Sequence, residues 1–121
     1  MKTRHLIAVL VAVLTLAACG NRHRAASVVD DFLKENLTND DYKMEVVAMD
    51  KAAKVNAATL KALQGEAAGD PAFKKSIQWG TPATQDNYYY MRARIIHEQD
   101  TMVKTFYLDD QLTTVVAFKQ N

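Results

Sequence analysis

The sequence predicts an α+β fold, with an N-terminal helix and one or two further helices packed on a roughly four-stranded antiparallel sheet. Three observations predict it. The stretch SVVDDFLKENL at 27–37 carries one apolar stripe at helical spacing. The stretch 51–68 is rich in alanine and other strong helix formers. The last third holds three short β-branched and aromatic runs separated by polar, turn-forming residues.

In the first helix, Val28, Val29, Phe32, Leu33 and Leu37 share one side. Ser27 followed by Asp30 fits a helix-start signature, and Asp30 and Asp31 suit the positive end of the helix dipole. Asn39-Asp40-Asp41 reads as a turn. YKMEVVAM at 42–49 alternates weakly and reads as a strand. A second helix is expected over about 56–68, with Gly65 and Gly69 weakening or ending it. Asp70-Pro71 resembles an N-cap followed by proline at the first helical position, and predicts a short third helix through Ile77. Trp79-Gly80-Thr81-Pro82 is a loop. Strands follow at 87–97, 102–108 and 112–118, with Glu98-Gln99-Asp100 and Asp109-Asp110-Gln111 as reversals, which makes an antiparallel meander.

With 121 residues there is room for one domain and a short appendage. A formal charge of +1 gives no electrostatic case for nucleic acid. The single cysteine, Cys19, excludes an internal disulfide and any zinc site built on cysteines. There is no G-x-S-x-G, no H-E-x-x-H, no calcium loop and no glycine-rich phosphate loop. The acidic pairs Asp30/Asp31, Asp40/Asp41 and Asp109/Asp110 are explained by cap and turn duty. His97 is the one histidine inside a periodic segment, and reads as a half-buried strand residue before a general base. The expectation is therefore a non-enzymatic protein with no catalytic residue, no metal and no cofactor beyond a covalent lipid.

That lipid is suggested by the N-terminus. MKTRH at 1–5 is positively charged, and LIAVLVAVLTLAA at 6–18 is apolar but shorter than the roughly 20 residues that span a bilayer. A basic start, a short apolar core and small residues at its end describe a secretory signal peptide. Leu16-Ala17-Ala18-Cys19 resembles the lipobox of bacterial lipoprotein precursors. The resemblance implies cleavage between Ala18 and Cys19 and a diacylglycerol on the Cys19 thiol. It divides the chain into a signal peptide at 1–18, a lipidated cysteine and short tether at 19–26, and a domain at 27–121. Arg22 and Arg24 in the tether read as solvated linker charges before headgroup contacts. Gly20, where an aspartate would imply inner-membrane retention, is compatible with an outer-membrane protein facing the periplasm.

For the domain, a helix followed by a curved antiparallel sheet is similar to cystatin-like and NTF2-like architectures in element order only. The Gln-x-Val-x-Gly loop of cystatin inhibitors is absent. Tyr88, Tyr90, Arg92 and Arg94 alternate onto one strand face, a surface suited to an anionic or sugar-like ligand or to a protein. Tyrosines on such a face equally suit packing against neighbouring strands. Trp79 is either a core anchor or a further contact. Strands 102–108 and 112–118 carry apolar groups on both faces, so either the helices cover more of the sheet or a protein partner or second copy does. The expected function is a membrane-anchored binding or assembly module. The alternative is a small-ligand or NTF2-like enzymatic pocket near His97.

Overall fold

A computed structural model describes residues 20–81 and 87–120. Helix α1 (20–36) comes first, followed by β1 (Lys43–Ala52), α2 (Ala57–Ala67), β2 (Tyr88–His97), β3 (Asp100–Asp109) and β4 (Val115–Gln120). The strands form one antiparallel sheet in the order β1-β2-β3-β4, the meander the sequence predicts.

Helix α1 begins earlier than its apolar stripe suggests. Residues 20–26 are already helical, so the expected extended tether is not there, and Arg22 and Arg24 stand in the first turns of a helix. Ala25 is fully buried and extends the stripe of Val29, Phe32 and Leu33 back by one turn. Alanine and arginine are good helix formers, which is why the turn forms without a large apolar residue. Arg22 Nη2 also donates to the carbonyl of Val46, 3.2 Å away, tying this end of α1 to β1. Val46 adjoins the point where the β1–β2 register shifts, leaving Val47 outside the pairing and exposed. Among the described residues, no helix is long and apolar enough to cross a membrane.

Register decides the two faces of the sheet. Met91, Ala93 and Ile95 of β2, with Phe106 and Leu108 of β3 and Phe118 of β4, point towards α1 and form the main core with Val29, Phe32 and Leu33. Aromatic rings fill its centre: Phe73 stacks on Phe118 at 4.3 Å, and Phe32 lies 5.5 Å from Trp79 and 6.1 Å from Phe106.

Helix α2 is not confined to that face. Leu60 near its start packs with Tyr88, Tyr107, Val116 and Ala117 on the second face, whereas Ala67 at its end joins the main core. The helix thus wraps the β4 edge. Gln64 lies between those two residues, and its Nε2 donates to the Val116 carbonyl at 2.7 Å, closing an edge group that would otherwise invite another strand. The apolar residues on both faces of β3 and β4 are therefore covered at this end by the chain itself. Asn56 caps α2, its Oδ1 accepting from the Thr59 amide at 2.9 Å.

The expected third helix at 71–77 does not form. Asp70 accepts from the Ala72 amide at 3.0 Å, but the chain then makes only a turn, and Phe73 forms an isolated bridge with Leu37. Asn36, 1% exposed, holds this segment: its carbonyl accepts from the Lys74 amide and its Oδ1 from the Gln78 amide, both at 2.8 Å. A cap signal at Asp70-Pro71 is local, and a buried partner far away in sequence overrides it. The β4 strand also starts later than predicted. The Asp109 carboxylate accepts from the amides of Thr113 (2.8 Å) and Thr114 (3.2 Å), building a turn in which Leu112 adopts a φ of 54°.

Candidate functional site

The most charged enclosed feature is buried beneath the α2 C-terminus. Lys104, from β3, is 3% exposed, and its Nζ lies 2.6 Å from Asp70 Oδ2. The same oxygen accepts from Gln120 Nε2 at 2.9 Å. The ammonium also sits 5.9 Å and 5.6 Å from the ring centroids of Phe73 and Phe118, a cation held between two aromatic rings and a carboxylate. Burial works to raise the Asp70 pKa. The hydrogen bond and charge of Lys104, with the Ala72 amide and Gln120, outweigh it and hold the carboxyl below its ordinary value. Every oxygen of Asp70 is engaged, so this cluster is a pin joining β3, β4 and the segment after α2. No pattern in the sequence marks it, because Asp70 and Lys104 are 34 positions apart.

A second polar clamp joins α1 to β1. Tyr42 Oη donates to Asp30 Oδ1 at 2.5 Å, and Asp30 also pairs with Lys34 at 3.1 Å. Burial raises the phenol pKa, and the hydrogen bond to Asp30 and the negative charges around it raise it further. Burial likewise opposes ionisation of Asp30, but the bonds from Tyr42 and Lys34 prevail and lower its pKa. His97 belongs to this end of the sheet. Its Nδ1 lies 3.0 Å from the Asp41 carbonyl, and its ring centroid is 6.2 Å from that of Tyr42.

The residues singled out by alternation on β2 separate. Tyr88 is 3% exposed and is core to the α2 cluster. Arg94 is exposed and pairs with Glu45, its register partner on β1, at 2.8 Å. Trp79 packs on the opposite face against Phe32 and Phe118, as a core anchor. Tyr90 and Arg92 remain together. They line an open groove of about 290 Å³ with Thr105, Tyr107, Lys119 and Val55. Register explains the assembly: Arg92 lies opposite Thr105, and Thr105 opposite Lys119, so the three make one row across β2, β3 and β4. Tyr90 and Tyr107 are partners in the next row. Thr105 and Lys119 went unmarked in the sequence because pairing register is not written in any single strand.

Ala18 and Cys19 lie outside the described residues, as do the signal peptide and Pro82. Among the described residues, no group of three or more histidine, cysteine, aspartate or glutamate side chains is placed to hold a metal ion. No protein-family model, curated protein or solved structure matches the chain.

Proposed function

We propose that the chain is a lipid-anchored protein of the bacterial cell envelope, cut before Cys19 and held by acyl chains on that cysteine, whose α+β domain is a non-enzymatic binding or assembly module. The observation that carries the reading is Leu16-Ala17-Ala18-Cys19 at the end of a short apolar segment behind Lys2 and Arg4. Two or three acyl chains, at about 0.8 kcal/mol per buried methylene, anchor far more firmly than one. Gly20 supports the outer membrane, with the domain in the periplasm.

The early start of α1 bears on how such a module is displayed. The described residues are helical from Gly20 on, the residue after the cysteine in sequence. At about 1.5 Å per residue, Arg22, His23 and Arg24 fall within roughly a Debye length of the headgroups, so the domain rides on the bilayer instead of roaming from it. The surface offered to a partner or second copy is the open part of the sheet face that carries Tyr90, Arg92 and Lys119.

Fractionation of cells tests the anchor. The wild-type protein is expected in the membrane fraction and extractable by detergent alone. Cys19→Ala is expected to leave that population for an uncleaved precursor or a soluble product. A wild-type protein that washes off with salt or stays soluble overturns the reading.

A further inference from the structure

We infer that the cavity at the end of the sheet, where β1 and β3 finish and β2 begins, binds a zwitterionic α-amino acid. Its ammonium meets Asp110, its carboxylate meets Lys51, and an apolar or aromatic side chain lies against Tyr88 and Tyr89. The site is separate from the sheet face that carries Tyr90 and does not depend on the lipid anchor.

The two acids of the β3–β4 turn differ. Asp109 carries the turn: its carboxylate accepts from the Thr113 and Thr114 amides and from Thr113 Oγ1. Turn duty therefore accounts for one member of the Asp109/Asp110 pair and leaves the other unexplained. Asp110 is half-buried, and its Oδ1 is closed off from solvent with no donor to meet it. Among the described residues, it is the one buried side-chain oxygen or nitrogen in that condition. A buried carboxylate oxygen without a donor is costly, and this one has none from its own chain.

Asp110 lines a cavity of about 450 Å³ with Lys51, Ala52, Asn87, Tyr88 and Tyr89. Rotation about its Cβ–Cγ bond exchanges the two carboxylate oxygens, so a donor in the cavity can be met by either. Strand register supplies the opposite charge. Lys51 pairs with Tyr89 and Tyr89 with Leu108, two residues before Asp110. The backbones of Lys51 and Asp110 thus stand about 12 Å apart, two interstrand spacings across and two residues along. The cation comes from the β1 side of β2 and the anion from the β3 side. Lys51 is exposed and forms no ion pair among the described residues. Neighbouring acids do not neutralise it: Asp50 is opposite Tyr90, on the other side of the strand, and accepts from the Lys51 backbone amide at 2.7 Å.

A ligand with a single charge answers one of these two groups and leaves the other unmet. An α-amino acid carries an ammonium and a carboxylate on one carbon, and answers both with charge-assisted hydrogen bonds. The exposed Asn87 amide can donate or accept, which suits either end. The tyrosine rings add surface for an apolar side chain, and the volume is within the range of ordinary small-molecule sites.

The test is amide NMR of the full-length, isotope-labelled chain in a non-ionic detergent. The probes are phenylalanine, 3-phenylpropionate, which lacks the ammonium, and 2-phenylethylamine, which lacks the carboxylate. Saturable shifts are expected at the Lys51, Asn87, Tyr89 and Asp110 amides with phenylalanine. Each analogue is expected to bind at least about tenfold more weakly, the scale of one hydrogen bond to a charged group. Asp110→Asn is expected to weaken phenylalanine about tenfold without weakening 3-phenylpropionate. Lys51→Gln, a change at an exposed position that does not threaten folding, is expected to weaken phenylalanine without weakening 2-phenylethylamine. Lys43→Gln, at the far end of β1 opposite Ile96, is expected to change none of the three. Absence of saturable shifts with phenylalanine, an analogue that binds as tightly as phenylalanine, or equal losses in Lys51→Gln and Lys43→Gln would overturn the inference. The mass of the N-terminus, measured on the same sample, reports separately on the anchor.

Discussion

Single residues divide into those whose environment tolerates change and those whose environment does not. Asp70 is of the second kind. Truncating it leaves the Lys104 ammonium buried without its carboxylate, so Asp70→Ala is expected to cost about 3–5 kcal/mol, read from the denaturant midpoint. Its depressed pKa fixes a sign for the pH dependence. Stability from the ionised pair is complete above the unfolded-state value, near 4, and is lost as pH falls from there through the lower folded value. Unfolding midpoints measured between pH 6 and pH 2, values spanning both states, should fall steeply below about pH 4 in the wild type and less steeply in Asp70→Asn. The glycines give a paired case. A Cβ on Gly80 would lie 1.5 Å from Thr114 Oγ1, and Gly80 itself donates to the Val115 carbonyl at 3.1 Å. Gly80→Ala must push Thr114 aside and is expected to lower stability by about 1–3 kcal/mol. Gly65, inside α2, has open space around it, and Gly65→Ala is expected to raise stability by about 0.5–1 kcal/mol. Thermal unfolding of the two variants should move in opposite directions.

At the scale of elements, legibility in the sequence followed how local the deciding interaction was. The stripe of α1, the Asn56 start of α2 and the alternation of β2 are written in neighbouring residues; α2 and β2 formed where the pattern put them to within a few positions, and α1 covers its stripe but is helical seven residues earlier. The short helix after Pro71 failed although Asp70 still accepts from the Ala72 amide, because Asn36 and Thr38 on the far side of the chain take the backbone groups of the following residues. The first turns of α1 were hidden by the lack of a large apolar residue before Val28. The candidate surface was half legible. Alternation put Tyr90 and Arg92 on the correct side, but only strand register brings in Lys119, and only the path of α2 decides that Tyr88 is buried. That path also gives α2 a specific task. Gln64→Ala is expected to cost about 1 kcal/mol and to raise concentration-dependent association, since the Val116 carbonyl at the β4 edge loses its donor. Light scattering alongside denaturant unfolding reads both effects.

The whole molecule couples two unlike surfaces through one sheet. One face carries α1 and the aromatic core. At the head of that helix, Arg22 is bonded to β1 and the next residues lead back to Cys19. The other face is covered at one end by α2 and open at the other, where Arg92 and Lys119 stand in one row. An anchor on Cys19 would therefore fix the domain at the bilayer through a helix instead of a loose linker. A flexible insertion between Cys19 and Arg22 is expected to leave the unfolding midpoint unchanged and to widen the distance range between domain and bilayer, measured by fluorescence quenching from headgroup-labelled lipid. Intact-mass spectrometry of the protein extracted from membranes, beside Cys19→Ala, reads the lipid itself. A mature chain beginning at Cys19 with the added mass of its acyl groups is expected, and no such species in the variant. A wild-type chain carrying an unmodified Cys19 would contradict it.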